Sequence, residues 1–191
     1  MAGSSSASGP PLRRLAASDY VLRLDELPDP GFAIVTPVSP VDPTSLAGGD
    51  SARLSLFHNE GLEQTATARY FRAVSSLATS NGPIDVTSTV ERFGTTGGAH
   101  RAFGDEVTHD DSLSGSTPLS TGPVADEAHA TLLTTTDADG TSLSQTTLVW
   151  RSVNLVCVLV VRQRLAGSPL QAALLVATPQ LARQGVATPA P

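Results

Sequence analysis

Lysine is absent: all twelve basic residues of this 191-residue chain are arginine, and the net charge is −6. The arginines are scattered, never more than two in a row. Gripping a phosphate backbone requires clustered positive charge, so the composition argues against nucleic acid as a partner. Cysteine is almost absent too. Cys157 stands alone, which excludes an intramolecular disulfide and removes any need for an oxidising compartment. It lies inside an apolar run and reads as a buried, inert thiol; a reactive thiolate needs exposure and a positive neighbour. Aromatic residues make up only 4% of the chain against 40% apolar residues. The core must therefore be built from Val, Leu, Ala and Thr. A bilayer-spanning helix needs about 20 consecutive apolar residues, and the longest uninterrupted run here, Leu155–Val161, has seven. No apolar segment of a signal peptide is visible near the start.

What is present centres on that run. Leu148–Arg162 reads as a strand, a tight turn at Arg151–Asn154 and a second strand. β-Branched residues dominate the second strand, and apolar residues occupy both parities, the pattern of a strand buried on both faces. The expectation is the middle of a sheet that the remaining chain covers.

The segments before it alternate in character. Met1–Pro11 is Ser/Gly/Pro-rich and is expected to be a disordered tether. Leu12–Leu27 reads as an amphipathic helical segment with Ser18 as a cap, ended by Pro28 and Pro30. Gly31–Thr36 reads as a short strand stopped by Pro37, and Pro37–Asp50 as an exposed loop. Ser51–Asn59 suggests one helical turn. Glu63–Val74 reads as a strand with neither parity clean. Asn81-Gly82-Pro83 is a turn. In Ile84–Phe93, Ile84, Val86, Ser88 and Val90 alternate with Asp85, Thr87, Thr89 and Glu91, so one face is expected in the core and the other in solvent.

The second half continues the alternation. A helix is expected over Thr96–Val107, with Ala99, Ala102, Phe103 and Val107 as its buried stripe, followed by a long polar loop from His109 to Gly122. Three strands then follow in quick succession, Glu127–Thr136, Thr141–Trp150 and Asn154–Arg162, the first two joined at Asp137–Gly140. Ser168 and Pro169 mark the start of a last helix, with Pro179 inside it. The sum is one α+β domain over residues 18–185 between tails at 1–17 and 186–191. Its mainly antiparallel sheet should have about five to six strands packed by two to three helices.

Chemistry is harder to find. None of His58, His100, His109 and His129 forms H-x-x-x-H. The densest cluster is Asp105, Glu106, His109, Asp110 and Asp111, where a metal would need three converging ligands; a solvated helix end is the simpler reading. Asp137, Asp139 and Gly140 lack the remaining positions of a calcium loop, and no G-x-S-x-G elbow occurs. Gly94, Gly97 and Gly98 match no nucleotide fingerprint, so they read as helix capping. No catalytic residue, metal ligand or cofactor is assigned. Tyr70, Trp150 and Arg151 are the candidate ligand-binding residues, because an aromatic beside arginine makes a typical anchor.

Several short patterns occur together in order: Leu27-Pro28-x-x-Gly31-Phe32; Val86-x-Ser88-x-Val90-x-x-Phe93 followed by Gly98-Ala99-x-x-Ala102-Phe103; Ala125-Asp126-Glu127-Ala128, where Gly-Asp-Glu-Ala is commoner; Val149-x-Arg151-x-x-Asn154-Leu155-Val156; and Leu181-Ala182-Arg183. In this order they resemble uncharacterised exported or lipoprotein-like proteins of actinobacteria and Chloroflexota. Those are similar in turn to sensor-like extracellular domains of mycobacterial Ser/Thr kinases and to PsbP-like α/β/α sandwiches. The resemblance spans roughly residues 18–185. It implies a twisted antiparallel sheet with packed helices, an extracytoplasmic location and a non-enzymatic role, binding a small ligand or a protein partner beside the sheet. The motifs mark folding positions and lend no functional residues. Two other readings stand beside this one. The first is a hydrolase or metal-dependent enzyme using the His100–Asp111 region, which requires His100 or His109 to meet Asp126 or Glu127. The second is an assembly protein pairing through a sheet edge.

Overall fold

The computed structural model describes residues 10–75, 80–165 and 167–186. The Ser/Gly/Pro-rich start through Gly9 and the stretch from residue 187 onward lie outside them. Among the described residues seven strands form one sheet: β1 (Phe32–Pro40), β2 (Leu62–Arg72), β3 (Pro83–Phe93), β4 (Ser116–Leu119), β5 (Glu127–Thr136), β6 (Ser142–Ser152) and β7 (Leu155–Arg164). Their order is β1-β2-β3-β7-β6-β5-β4, and every neighbouring pair is antiparallel. Among the described residues the four α-helices are α1 (Pro43–Leu46), α2 (Ser51–Glu60), α3 (Thr96–Ser112) and α4 (Pro169–Arg183). The expected class is observed, with seven strands instead of five to six and more helical segments than two to three.

The expected central strand is β7, held between β3 and β6. Its two parities serve two cores. Leu155, Cys157, Leu159 and Val161 join Val86, Val90, Leu148 and Trp150 under α4. Val156 joins Phe93 and Val149 under Ala99 and Ala102 of α3. Helices on both faces explain why β7 is apolar at every position from Leu155 to Val161.

Four expectations need correction. Leu12–Leu27 contains no α-helix; it is an extended strap with two 3-10 turns, Ala17–Asp19 and Leu24–Glu26. Tyr20, Val21 and Leu22 are buried while Leu15 is 60% exposed, which is not the arc of one helix face. Side chains hold the strap's backbone. Ser88 Oγ accepts from the Leu22 N–H at 3.3 Å, Tyr70 donates to the Leu22 carbonyl at 2.7 Å, and Arg183 donates to the Val21 carbonyl at 2.7 Å.

The strand at Phe32 does not stop at Pro37 but runs to Pro40. β1 is an edge strand with register shifts, where a missing N–H costs little. Ser51–Asn59 is not one turn but belongs to a full helix. Asp50 accepts from the N–H groups of Ala52 and Arg53, and Gly61 closes its end at φ 76°. Finally, α3 passes Val107 to Ser112, and β4 takes Ser116–Leu119 out of the expected loop. β2 also resolves: Ala66, Ala68 and Tyr70 face the α4 core.

Candidate functional site

The face of β3 expected in solvent is where the site lies. Asp85, Glu91 and Phe93 on that parity are all buried. Phe93 anchors the small core under α3, and Glu91, two residues earlier, points to the same side. α2 and α3 lean together over this end of the sheet. Gly98 permits the approach: a Cβ there would stand 2.0 Å from the Glu60 carbonyl oxygen. Gly98 thus has a packing role besides its N–H bond to the Thr95 hydroxyl, 2.9 Å, which caps α3.

Between the helices is a cavity of 190 Å³ lined by Asp50, Ala52, Arg53, Leu56, Phe57, Glu60, Glu91, Ala102, Asp105, Glu106 and His109. Glu91 is its most enclosed polar group, 1% exposed, and its Oε2 has no hydrogen-bond partner. Burial pushes the Glu91 carboxyl up to about 8, with repulsion from Glu106 adding to it. Burial also raises Glu60 to about 8, assisted by the adjoining Asp105. Asp110, further along α3, rises to about 6 by burial and then repulsion from Glu106. Glu106 is paired with Arg53 at 2.5 Å, and the Arg53 guanidinium lies 5.5 Å from the Phe57 ring centroid. The arrangement is a concave pocket in which Ala52, Leu56, Phe57 and Ala102 form apolar wall among seven ionisable side chains, a form that suits a small polar-headed molecule. Among the described residues, no three His, Cys, Asp or Glu side chains are placed to hold a metal ion.

No family model matches the chain, and no curated protein matches it. Its fold is similar to that of the extracellular domain of PknH from Mycobacterium tuberculosis. That likeness has a TM-score of 0.60 at 11% identity and covers 92% of this chain and 99% of that one. At this identity the likeness shows the fold alone. The actinobacterial and Chloroflexota grouping has no sequence match behind it.

The three residues singled out as binding candidates do not form one cluster. Tyr70 and Trp150 are 2% and 0% exposed in the α4 core. The Trp150 indole N–H donates to Gln184 Oε1 at 2.9 Å. Arg151 points to the other face, where it meets Glu127 and donates to Asp126 at 3.2 Å. His100 and Glu127 do converge, Nδ1 to Oε2 at 3.0 Å. Burial raises the Glu127 carboxyl, and the bonds from His100 and Arg151 outweigh this, so its pKa falls below the usual range. This orients a histidine, yet among the described residues no hydroxyl or thiol bonds to His100. His109 lines the cleft instead, and His129 pairs with Asp111 at 2.9 Å.

The resemblance motifs fall on structural joints. Asn154 donates to the Phe93 carbonyl at 2.8 Å and accepts from the Arg13 N–H at 2.7 Å. Asp126 accepts from the Val153 N–H at 2.7 Å, and Arg151 donates to the Val153 carbonyl at 2.9 Å. Together they hold Val153 at φ 59°, a strained value for a β-branched residue.

Proposed function

We propose that this chain is a non-enzymatic extracytoplasmic domain that binds a small ligand in the cleft between α2 and α3. The observation that carries the reading is Glu91, a buried carboxyl aimed into this cavity with one oxygen unpartnered. A buried polar atom without a partner costs about 1–3 kcal/mol, and a cleft that binds a polar head group supplies the missing bond. The likeness to an extracellular domain supports the location; the lipoprotein-like tether and the PsbP-like kinship are carried by the sequence resemblance alone.

Native mass spectrometry of the protein purified gently from its host tests the binding. A bound mass is expected that disappears when the cleft rim is filled by Leu56→Trp, a change at an exposed position. A mass retained in that variant, or bare protein in both, rejects the cleft. Fractionation of the host, with the protein recovered only from the cytoplasm, rejects the location. The hydrolase reading draws on the His100–Glu127 contact; ester turnover abolished by His100→Ala would favour it. The assembly reading has two edges to use, β1 and β4, and a dimer that grows with concentration would favour it.

A further inference from the structure

We propose that the α2–α3 cleft takes a small organic cation, an ammonium or amidinium head on a short apolar body, with the Glu91 carboxylate as its counter-ion. The inference rests on the cleft being the binding site, and the test below separates the two. Charge is the first argument. Five acidic side chains line the cavity against one arginine and one histidine. That arginine, Arg53, is already occupied by Glu106 at 2.5 Å and by the Phe57 ring. An entering anion would meet an excess of acidic groups in a low-dielectric site and disfavour their ionisation; a cation favours the ionised form of Glu91, whose Oε2 lacks a partner.

Geometry excludes the competing cation. A metal ion needs several converging ligands, and among the described residues no group of three is so placed. An organic ammonium is satisfied by one carboxylate and tolerates looser angles. The walls supply the rest, since Ala52, Leu56, Phe57 and Ala102 suit an apolar body. The volume of 190 Å³ suits a molecule of benzene size or slightly larger, because an apolar cavity of about 150 Å³ holds benzene.

Isothermal titration of the full chain at about pH 8.5, above the value of about 8 to which burial pushes Glu91 and where benzylammonium is still a cation, with benzylammonium, benzyl alcohol and benzoate tests the head group while the ring stays constant. Benzylammonium should bind and benzoate should not. Glu91→Gln, which keeps shape and removes the charge, should weaken benzylammonium at least about tenfold, a loss of about 1.4 kcal/mol, while still unfolding cooperatively. Leu56→Trp should block it. Benzyl alcohol binding as tightly as the ammonium, or affinity unmoved by Glu91→Gln, overturns the cation. If Leu56→Trp still blocks the alcohol in that case, the cleft survives. No heat from any of the three probes overturns the cation proposal, and the mass-spectrometric comparison of native and Leu56→Trp protein then decides the cleft by itself.

Discussion

Single residues carry more of this structure than their types suggest. Ala125 sits at φ 55°, a conformation that costs an L-residue roughly 1–2 kcal/mol. The sequence resemblance places glycine there more often. Ala125→Gly should therefore raise stability by about 1 kcal/mol, read as a higher urea midpoint with unchanged slope; a fall would mean that the alanine methyl matters more than the strain. Gly98 is the opposite case. Its φ is ordinary, but the space above it belongs to the Glu60 carbonyl. Gly98→Ala should cost about 3 kcal/mol, as overpacking against rigid backbone does, and should separate α2 from α3. The glycines near position 98 are visible in the sequence, but the close approach depends on a helix thirty-odd residues earlier, which no local pattern shows.

At the scale of elements, the strap from Arg13 to Leu27 shows how local propensity is overruled. Its apolar residues can be laid out on a helix, yet Tyr20, Val21 and Leu22 are buried together against β2 and β3. The chain stays extended because Ser88, Tyr70 and Arg183, all distant in sequence, satisfy its backbone groups. Tyr70→Phe should cost about 1–2 kcal/mol by leaving the Leu22 carbonyl unsatisfied. Amide exchange at residues 20–23 should accelerate more than exchange in β7; equal acceleration everywhere would mean that the strap does not open on its own. In α3 the missed feature had a signal. The buried stripe at Ala99 and Ala102 continues at the same spacing through Glu106 and Asp110. By residue type the stripe passes instead through Phe103 and Val107, which are only half-buried; the acidic side chains take the covered positions.

For the whole molecule, the cleft sets the pH dependence. Glu60 and Glu91 are pushed up to about 8 and Asp110 to about 6, burial being the first cause in each. An acid with a raised folded pKa holds its proton more tightly in the folded state. Its contribution is complete below the unfolded carboxyl values near 4 and is lost as pH rises through the folded values. The melting temperature should accordingly fall from about pH 5 to about pH 9. Glu91→Gln should flatten part of that fall and raise the melting temperature at the alkaline end, because a neutral amide avoids the buried charge. A native curve that rises over this range in calorimetry would contradict the burial of these acids. The same substitution should weaken ligand binding, so stability and function oppose each other at one residue.

The amino-acid sequence by itself determined the α+β class, the antiparallel hairpins of β5, β6 and β7, the apolar centre at β7 and the capped start of α4. Each follows from short-range periodicity, turn residues or caps. Only the tertiary structure decided which face of β3 is covered, and that decision makes the cleft. β3 pairs on one side with β2, its neighbour in the chain, and on the other with β7, far along it. The helices above it arrive from either side of β2 and β3 in sequence. Glu91 reads as a surface carboxylate on an alternating strand until α2 and α3 close over it. Burial is a property of the assembled layers, and the chemistry of this carboxyl is a consequence of burial.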